Sequence, residues 1–189
     1  MAYDFFGIPV SELNVWLIWI LPFAAAMIIP AVGKFSKLTT GRVAVAFAAM
    51  SAISAATLFP MALGAHEIHH QIMWIDAIGL KAGVLADPLS VIMSNVVGWI
   101  SFLIMCYSTG YMKGDKDITR FWFWMMFFIG SMQLIILSDN LLQVFFGWEG
   151  VGLASYALIS FWYRDKKKLS LIHISEPTRR YAISYAGFC

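Results

Sequence analysis

Five runs of apolar residues, each about as long as a bilayer is thick, decide what this chain can fold into. They lie at about residues 15–32, 43–63, 89–108, 121–137 and 141–163. A helix needs roughly 20 apolar residues to cross the hydrocarbon layer. No water is available there to satisfy backbone N–H and C=O groups, so an isolated run of this length crosses as a helix. Composition agrees: 60% of the 189 residues are hydrophobic and 13% are charged, where soluble domains sit near 45–50% and about 25%. The chain therefore reads as an all-α integral membrane protein of five transmembrane helices, with the lipid bilayer as its surroundings. A net charge of +2 offers no basic field for nucleic acid.

The basic residues alternate along the chain. Lys34, Lys37 and Arg42 follow the first run, Lys113, Lys116 and Arg120 the third, and Arg164, Lys166, Lys167 and Lys168 the fifth; the opposite side carries Lys81. The positive-inside rule then places the N-terminus outside and the end of the fifth run in the cytoplasm. Pro22 and Pro30 predict a kink or an early end in the first helix. Asp139 and Asn140 predict a tight turn between the fourth and fifth. In the long external loop, "IMWI" and "LKAGVLAD" can pair as a short β-hairpin between spans two and three. Asp87-Pro88 then opens the third span. The N-terminus has neither a basic leader region nor a small-residue cleavage site, so no removable signal is expected. Cys106 and Cys189 fit no disulfide or zinc pattern.

Glu149 breaks the fifth run. It lies eight residues in, roughly 12 Å from the start of a helix rising 1.5 Å per residue. An ionised acid at that depth costs on the order of 2.5–3.5 kcal/mol even on the lenient insertion scale, and such residues face protein or water. Gly147, Gly150, Gly152, Ala154 and Ser155 are small enough to let other helices approach closely, which argues for an inward face. An acid held between apolar surroundings and a basic partner can exchange a proton, the chemistry of an intramembrane relay. The same acid could instead form an ion pair that only fixes packing. Gln133 and Gln143 could hold water nearby or simply bond between helices.

Two patterns carry no site. "HEIHH", residues 66–70, spells the helical zinc-protease signature. It falls where the second span leaves the membrane, with no third ligand in view, and reads as a helix end with solvated histidines. "GWEGVG" has no strand before it and lies inside a span, so it is no nucleotide loop.

The end of the chain changes character. Residues 169–179, "LSLIHISEPTR", match an in-frame translation of a transposase-type sequencing adaptor. "ISYAGFC" matches its outer end with Gly187 as the single departure, and the interval leaves room for an index. Residues 169–189 are thus expected to be foreign to the protein, like a fusion scar, and residues 1–168 to be its N-terminal transmembrane region. His173, Glu176 and Cys189 then carry no role.

The stretch from "ADPLSVIMSNVVGWISF" to "SDNLLQVFFGWEGVGLASYALISFWY", residues 86–163, resembles the antiporter-like subunit L of respiratory complex I. Its core, "SDNLLQVFFGWEGVGLASY", is the most specific part; residues 1–78 agree in topology more than in motif. The same subunit type occurs in deazaflavin-dependent, methanogen-type dehydrogenases and in multisubunit cation/proton antiporters, and the "GWEGVG" form favours the complex I-like enzymes. The resemblance implies the N-terminal part of an antiporter-like bundle built from inverted repeats. It implies that Glu149 is a proton-relay acid paired with a Lys further along the chain, with Trp148, Gly150 and Gly152 as supporting residues. Asp139 falls at the outer end of the span, in a structural place. The function implied is proton translocation in a complex I-like dehydrogenase:quinone oxidoreductase, or alternatively in a cation/proton antiporter. The chain itself would hold no cofactor. NADH or reduced deazaflavin, flavin, iron–sulfur clusters and quinone would belong to other subunits, and the partners would be other membrane subunits in a prokaryotic cell membrane. Without its Lys partner this piece would be inactive alone.

Overall fold

The computed structural model describes residues 4–5, 8–64, 67–75 and 80–162. Two short strands, β1 (Asp4–Phe5) and β2 (Ile8–Pro9), pair antiparallel and lead into α1 (Val10–Phe35). Then come α2 (Lys37–Thr57), the short α3 (Phe59–Leu63), strands β3 (Ile68–Ile75) and β4 (Leu80–Ala86), α4 (Pro88–Tyr111), α5 (Ile118–Leu137) and α6 (Leu141–Ile159). Among the described residues, α1, α2, α4, α5 and α6 are long and apolar enough to cross a membrane. The five-span reading holds, with the hairpin between spans two and three.

Three boundaries differ from expectation. The second span starts earlier, at Lys37, and breaks at Leu58, with Pro60 in the separate α3. The fifth helix stops at Ile159, and residues 160–162 form a turn. Arg120 ties that turn down by donating from Nη2 to the Phe161 carbonyl at 2.6 Å. Residue 163 and the basic residues beyond it lie outside the described residues, as do His66, residues 169–189 and their adaptor-like segment.

The third difference is in α1, which runs through both prolines to Phe35. Pro22 has no N–H, so the carbonyl four residues earlier, on Ile18, loses its helical donor. Ser51 on α2 supplies the replacement: its buried hydroxyl donates to Ile18 O at 2.6 Å. A neighbouring helix thus satisfies the group the proline freed. Ser51→Ala is expected to cost about 1 kcal/mol, seen as a lower unfolding midpoint in detergent with the helical content unchanged.

α1 packs between α2 and α5, α5 also carries α6 and α4, and α2 meets α4. At one end Val15, Ile18, Leu58, Val84, Val91 and Leu137 join α1, α5 and the hairpin in an apolar core; towards the other, Ala25, Ile29, Ala48, Met105, Trp122 and Met126 form a second. Between them Gln133 is fully buried and exchanges two hydrogen bonds with Ser94 on α4, accepting from its hydroxyl at 2.7 Å and donating to its carbonyl at 3.0 Å. That is the simple interhelical bond, made on a residue with nowhere else to place its amide.

Candidate functional site

α6 starts where it does because Asn140 caps it, its Oδ1 accepting from the Gln143 N–H at 2.9 Å. Glu149 then lies about 12 Å from Leu141 and about 15 Å from Ile159 along the helix, close to the middle. At 100° per residue one face collects Gln143, Gly147, Gly150 and Ala154, and this face is buried. It packs on α5: a Cβ on Gly147 would lie 2.7 Å from Ile135 Cγ1 and 3.0 Å from Ser131 O, and one on Gly150 would run into the Ser131 hydroxyl. Small residues here allow the close approach.

The small-residue face is not the face of the acid. Glu149 is exposed, in a stripe with Leu142, Phe145, Phe146, Leu153 and Tyr156, all exposed. Trp148 is also exposed, while Gly152 is buried. The glycines turn α6 so that its covered side meets α5 and the acid looks away. Among the described residues, none lies in hydrogen-bond or ion-pair range of the Glu149 carboxylate.

The polar groups that do come together are at the end of the bundle away from Lys37, Lys113 and Lys116, where the hairpin lies on the α5–α6 turn. β3 and β4 pair from Ile68↔Ala86 to Ile75↔Leu80, a longer ladder than "IMWI" alone would give. His69 and His70 of "HEIHH" are therefore in a strand, not at a helix end, and successive side chains leave it on opposite faces. His69 Nε2 sits 3.2 Å from Asp139 Oδ2, and Gln71 Nε2 donates to the same oxygen at 2.7 Å. On the other face Trp16 Nε1 donates to His70 Nδ1 at 3.1 Å, which leaves the ring proton on Nε2, 3.5 Å from Glu12 Oε2. Among the described residues no three His, Cys, Asp or Glu side chains are grouped to hold a metal ion.

Asp139 also accepts from Asn140 Nδ2 at 2.8 Å, and its side chain is 3% exposed. Burial pushes its pKa up, but the hydrogen bonds from Gln71, Asn140 and His69 outweigh that and hold it below the usual carboxylate range. Gln143, capped at the start of α6, accepts from the Gly83 N–H at 3.1 Å, so it bonds to the hairpin. Sequence reasoning missed this clasp: nothing local to His69, Gln71, Gly83 or Asp139 says that they meet.

The comparisons with known proteins bear on the same segments. Residues 73–122 match the family described as NADH-Ubiquinone oxidoreductase (complex I), chain 5 N-terminus, and residues 138–171 match NADH:quinone oxidoreductase/Mrp antiporter, TM. The NADH-quinone oxidoreductase subunit L of Rickettsia bellii is 40% identical over 152 residues, covering 78% of this chain. The chain belongs to the antiporter-like membrane-subunit family. Its relatives in that family include subunit L of Mycobacterium tuberculosis, 38% identical over 156 residues and 78% of this chain, and the chloroplastic NAD(P)H-quinone oxidoreductase subunit 5 of Spinacia oleracea, 35% over 158 residues and 78%. The chain spans about a quarter of the length of these relatives: 24% of both subunits L and 21% of the spinach protein. This antiporter-like fold also recurs in solved structures. The Mrp complex from Dietzia sp. DQ12-45-1b aligns with a TM-score of 0.64 at 22% identity, over 77% of this chain and 16% of that one. The archaeal membrane-bound sulfane sulfur reductase aligns with a TM-score of 0.66 at 16% identity, over 78% and 30%.

Proposed function

We propose that this chain is part of a proton-translocating membrane subunit of a complex I-like dehydrogenase:quinone oxidoreductase, with Glu149 as the acid half of a buried Glu–Lys relay. The observation that carries the reading is the position of Glu149. It stands near mid-helix on an apolar, exposed stripe of α6, where an ionised acid facing lipid would be costly. Such a stripe calls for further helices of the same protein, one bringing a lysine to the acid. Trp148 flanks the acid, and Gly150 and Gly152 hold α6 against its neighbours. Asp139 acts in the structure of the outer end. The family resemblance to the NADH-quinone relatives supports electron transfer in partner subunits, which would carry the flavin, iron–sulfur clusters and quinone. This piece alone would not pump. The N-terminus would lie outside a prokaryotic cell membrane.

The second reading, a subunit of a cation/proton antiporter, rests on the family description shared with Mrp antiporters. Sequencing the complete gene with its neighbours separates the two. Genes for quinone-site and iron–sulfur subunits beside it support the first; small antiporter subunits without them overturn it. The same sequence tests the tail, which we take to be adaptor-derived. Past the codon for Lys168, ordinary coding sequence is expected in place of "LSLIHISEPTR"; adaptor-like codons in independent clones would refute that origin.

A further inference from the structure

A basin of about 590 Å³ opens at the basic end of the bundle, between the start of α2 and the α4–α5 loop. Lys37 and Arg42 line it from α2, and Lys113 and Lys116 from the loop. Gly114, at φ +94°, turns that loop so that it reaches the basin; an L side chain rarely adopts this conformation. Asp115 also lines it, but its carboxylate is engaged, accepting from the Asp117 N–H at 2.8 Å and from Trp162 Nε1 at 3.1 Å. Lys37 spends one donor on the Lys116 carbonyl, at 2.9 Å. Among the described residues no carboxylate forms an ion pair with any of the four cations.

The floor supplies a second, independent sign. Trp122 is 1% exposed and lines the basin, yet its indole N–H has no hydrogen-bond partner among the described residues. A buried donor of this kind is normally paired, because leaving it unmade is costly. Gly41 lets α2 pack close to this edge of the ring: a Cβ there would lie 3.1 to 3.3 Å from Trp122 Cζ2, Cε2 and Nε1.

Position selects the ligand. The basin sits at the ends of membrane-crossing helices. Tyr107 and Tyr111, stacked with ring centroids 6.0 Å apart and both exposed, mark the same end of α4, and tyrosines concentrate at the level of lipid headgroups. Basic pockets between transmembrane helices at that level suit anionic headgroups. We infer that the basin binds the phosphate of an anionic lipid, with Lys37, Arg42, Lys113 and Lys116 facing its charge and the Trp122 indole N–H donating to a phosphate oxygen.

The test uses the full-length protein in its membrane assembly, delipidated in mild detergent and titrated with fluorescent phosphatidylglycerol. Phosphatidylcholine is the neutral arm and inorganic phosphate the competitor. Lys113→Gln with Lys116→Gln is expected to weaken one phosphatidylglycerol site per copy by on the order of tenfold, with phosphatidylcholine unaffected. Trp122→Phe, which keeps an aromatic six-membered ring but removes the pyrrole ring and its donor, is expected to weaken the same site several-fold and, as a core truncation, to lower the melting temperature modestly, with phosphatidylcholine binding unaffected. Equal phosphatidylglycerol binding by wild type and both variants would overturn the site. Full displacement by millimolar inorganic phosphate would overturn its assignment to lipid.

Discussion

Glu149→Gln in the full-length protein is expected to assemble normally and to lose coupled proton movement by on the order of tenfold or more. The amide keeps the shape and the hydrogen-bonding capacity of the acid, but it takes up no proton. Assembly should not suffer, because the amide fits the same space, its oxygen still accepts a hydrogen bond from the lysine, and a lysine left without its counter-charge in an apolar site sheds its proton. Glu149→Asp separates proton chemistry from packing. It still titrates but withdraws the carboxyl by one methylene, so partial activity is expected. The measurement is proton uptake into vesicles set against electron transfer in the same preparation. Normal pumping by the glutamine variant would leave Glu149 only a role in packing.

The second large effect belongs to the clasp between the hairpin and the α5–α6 turn. Asp139→Ala removes the acceptor shared by Gln71, Asn140 and His69 and is expected to cost about 2–3 kcal/mol, as a hydrogen-bonded charged group does. Gly83→Ala attacks the same contact from the hairpin. Its new Cβ would collide with the Asp139 carboxylate, an overpacking worth about 1–3 kcal/mol. Both should lower the unfolding midpoint in detergent and expose the hairpin to protease. The pH dependence follows from the depressed pKa of Asp139. A carboxyl held lower in the folded than in the unfolded state contributes its full stability above the unfolded value, about 3.9. That contribution is lost as pH falls through the folded value. Asp139→Asn should flatten this acid limb. An unchanged acid limb and an unchanged protease pattern would mean that the clasp holds nothing.

Much of the fold was legible because it is local. Span length follows from apolar runs, Asn140 announces the start of α6, and the hairpin is visible as two strand-like segments before Asp87. Sequence and structure part where contacts beyond the local segment intervene. The prolines of α1 invite a break, and one of the orphaned carbonyls is met by a serine 33 residues away in sequence. His69 and His70 follow a helical span, yet pairing with β4 draws them into a strand. The small residues around Glu149 in sequence suggest that they are the acid's own surroundings. At 100° per residue they occupy a different side of α6.

The sequence by itself determined that the chain crosses the membrane five times, that a hairpin precedes the third crossing, and that an acid stands near the middle of the fifth. These depend on composition along a single segment, because a bilayer acts on each run separately. Only the tertiary structure decided which face of α6 is covered, what Asp139 and Gln143 bond to, and that four cations gather over an indole N–H with no partner among the described residues. Those are contacts between residues tens of positions apart, and helix packing, rather than any local preference, chooses the rotation that makes them.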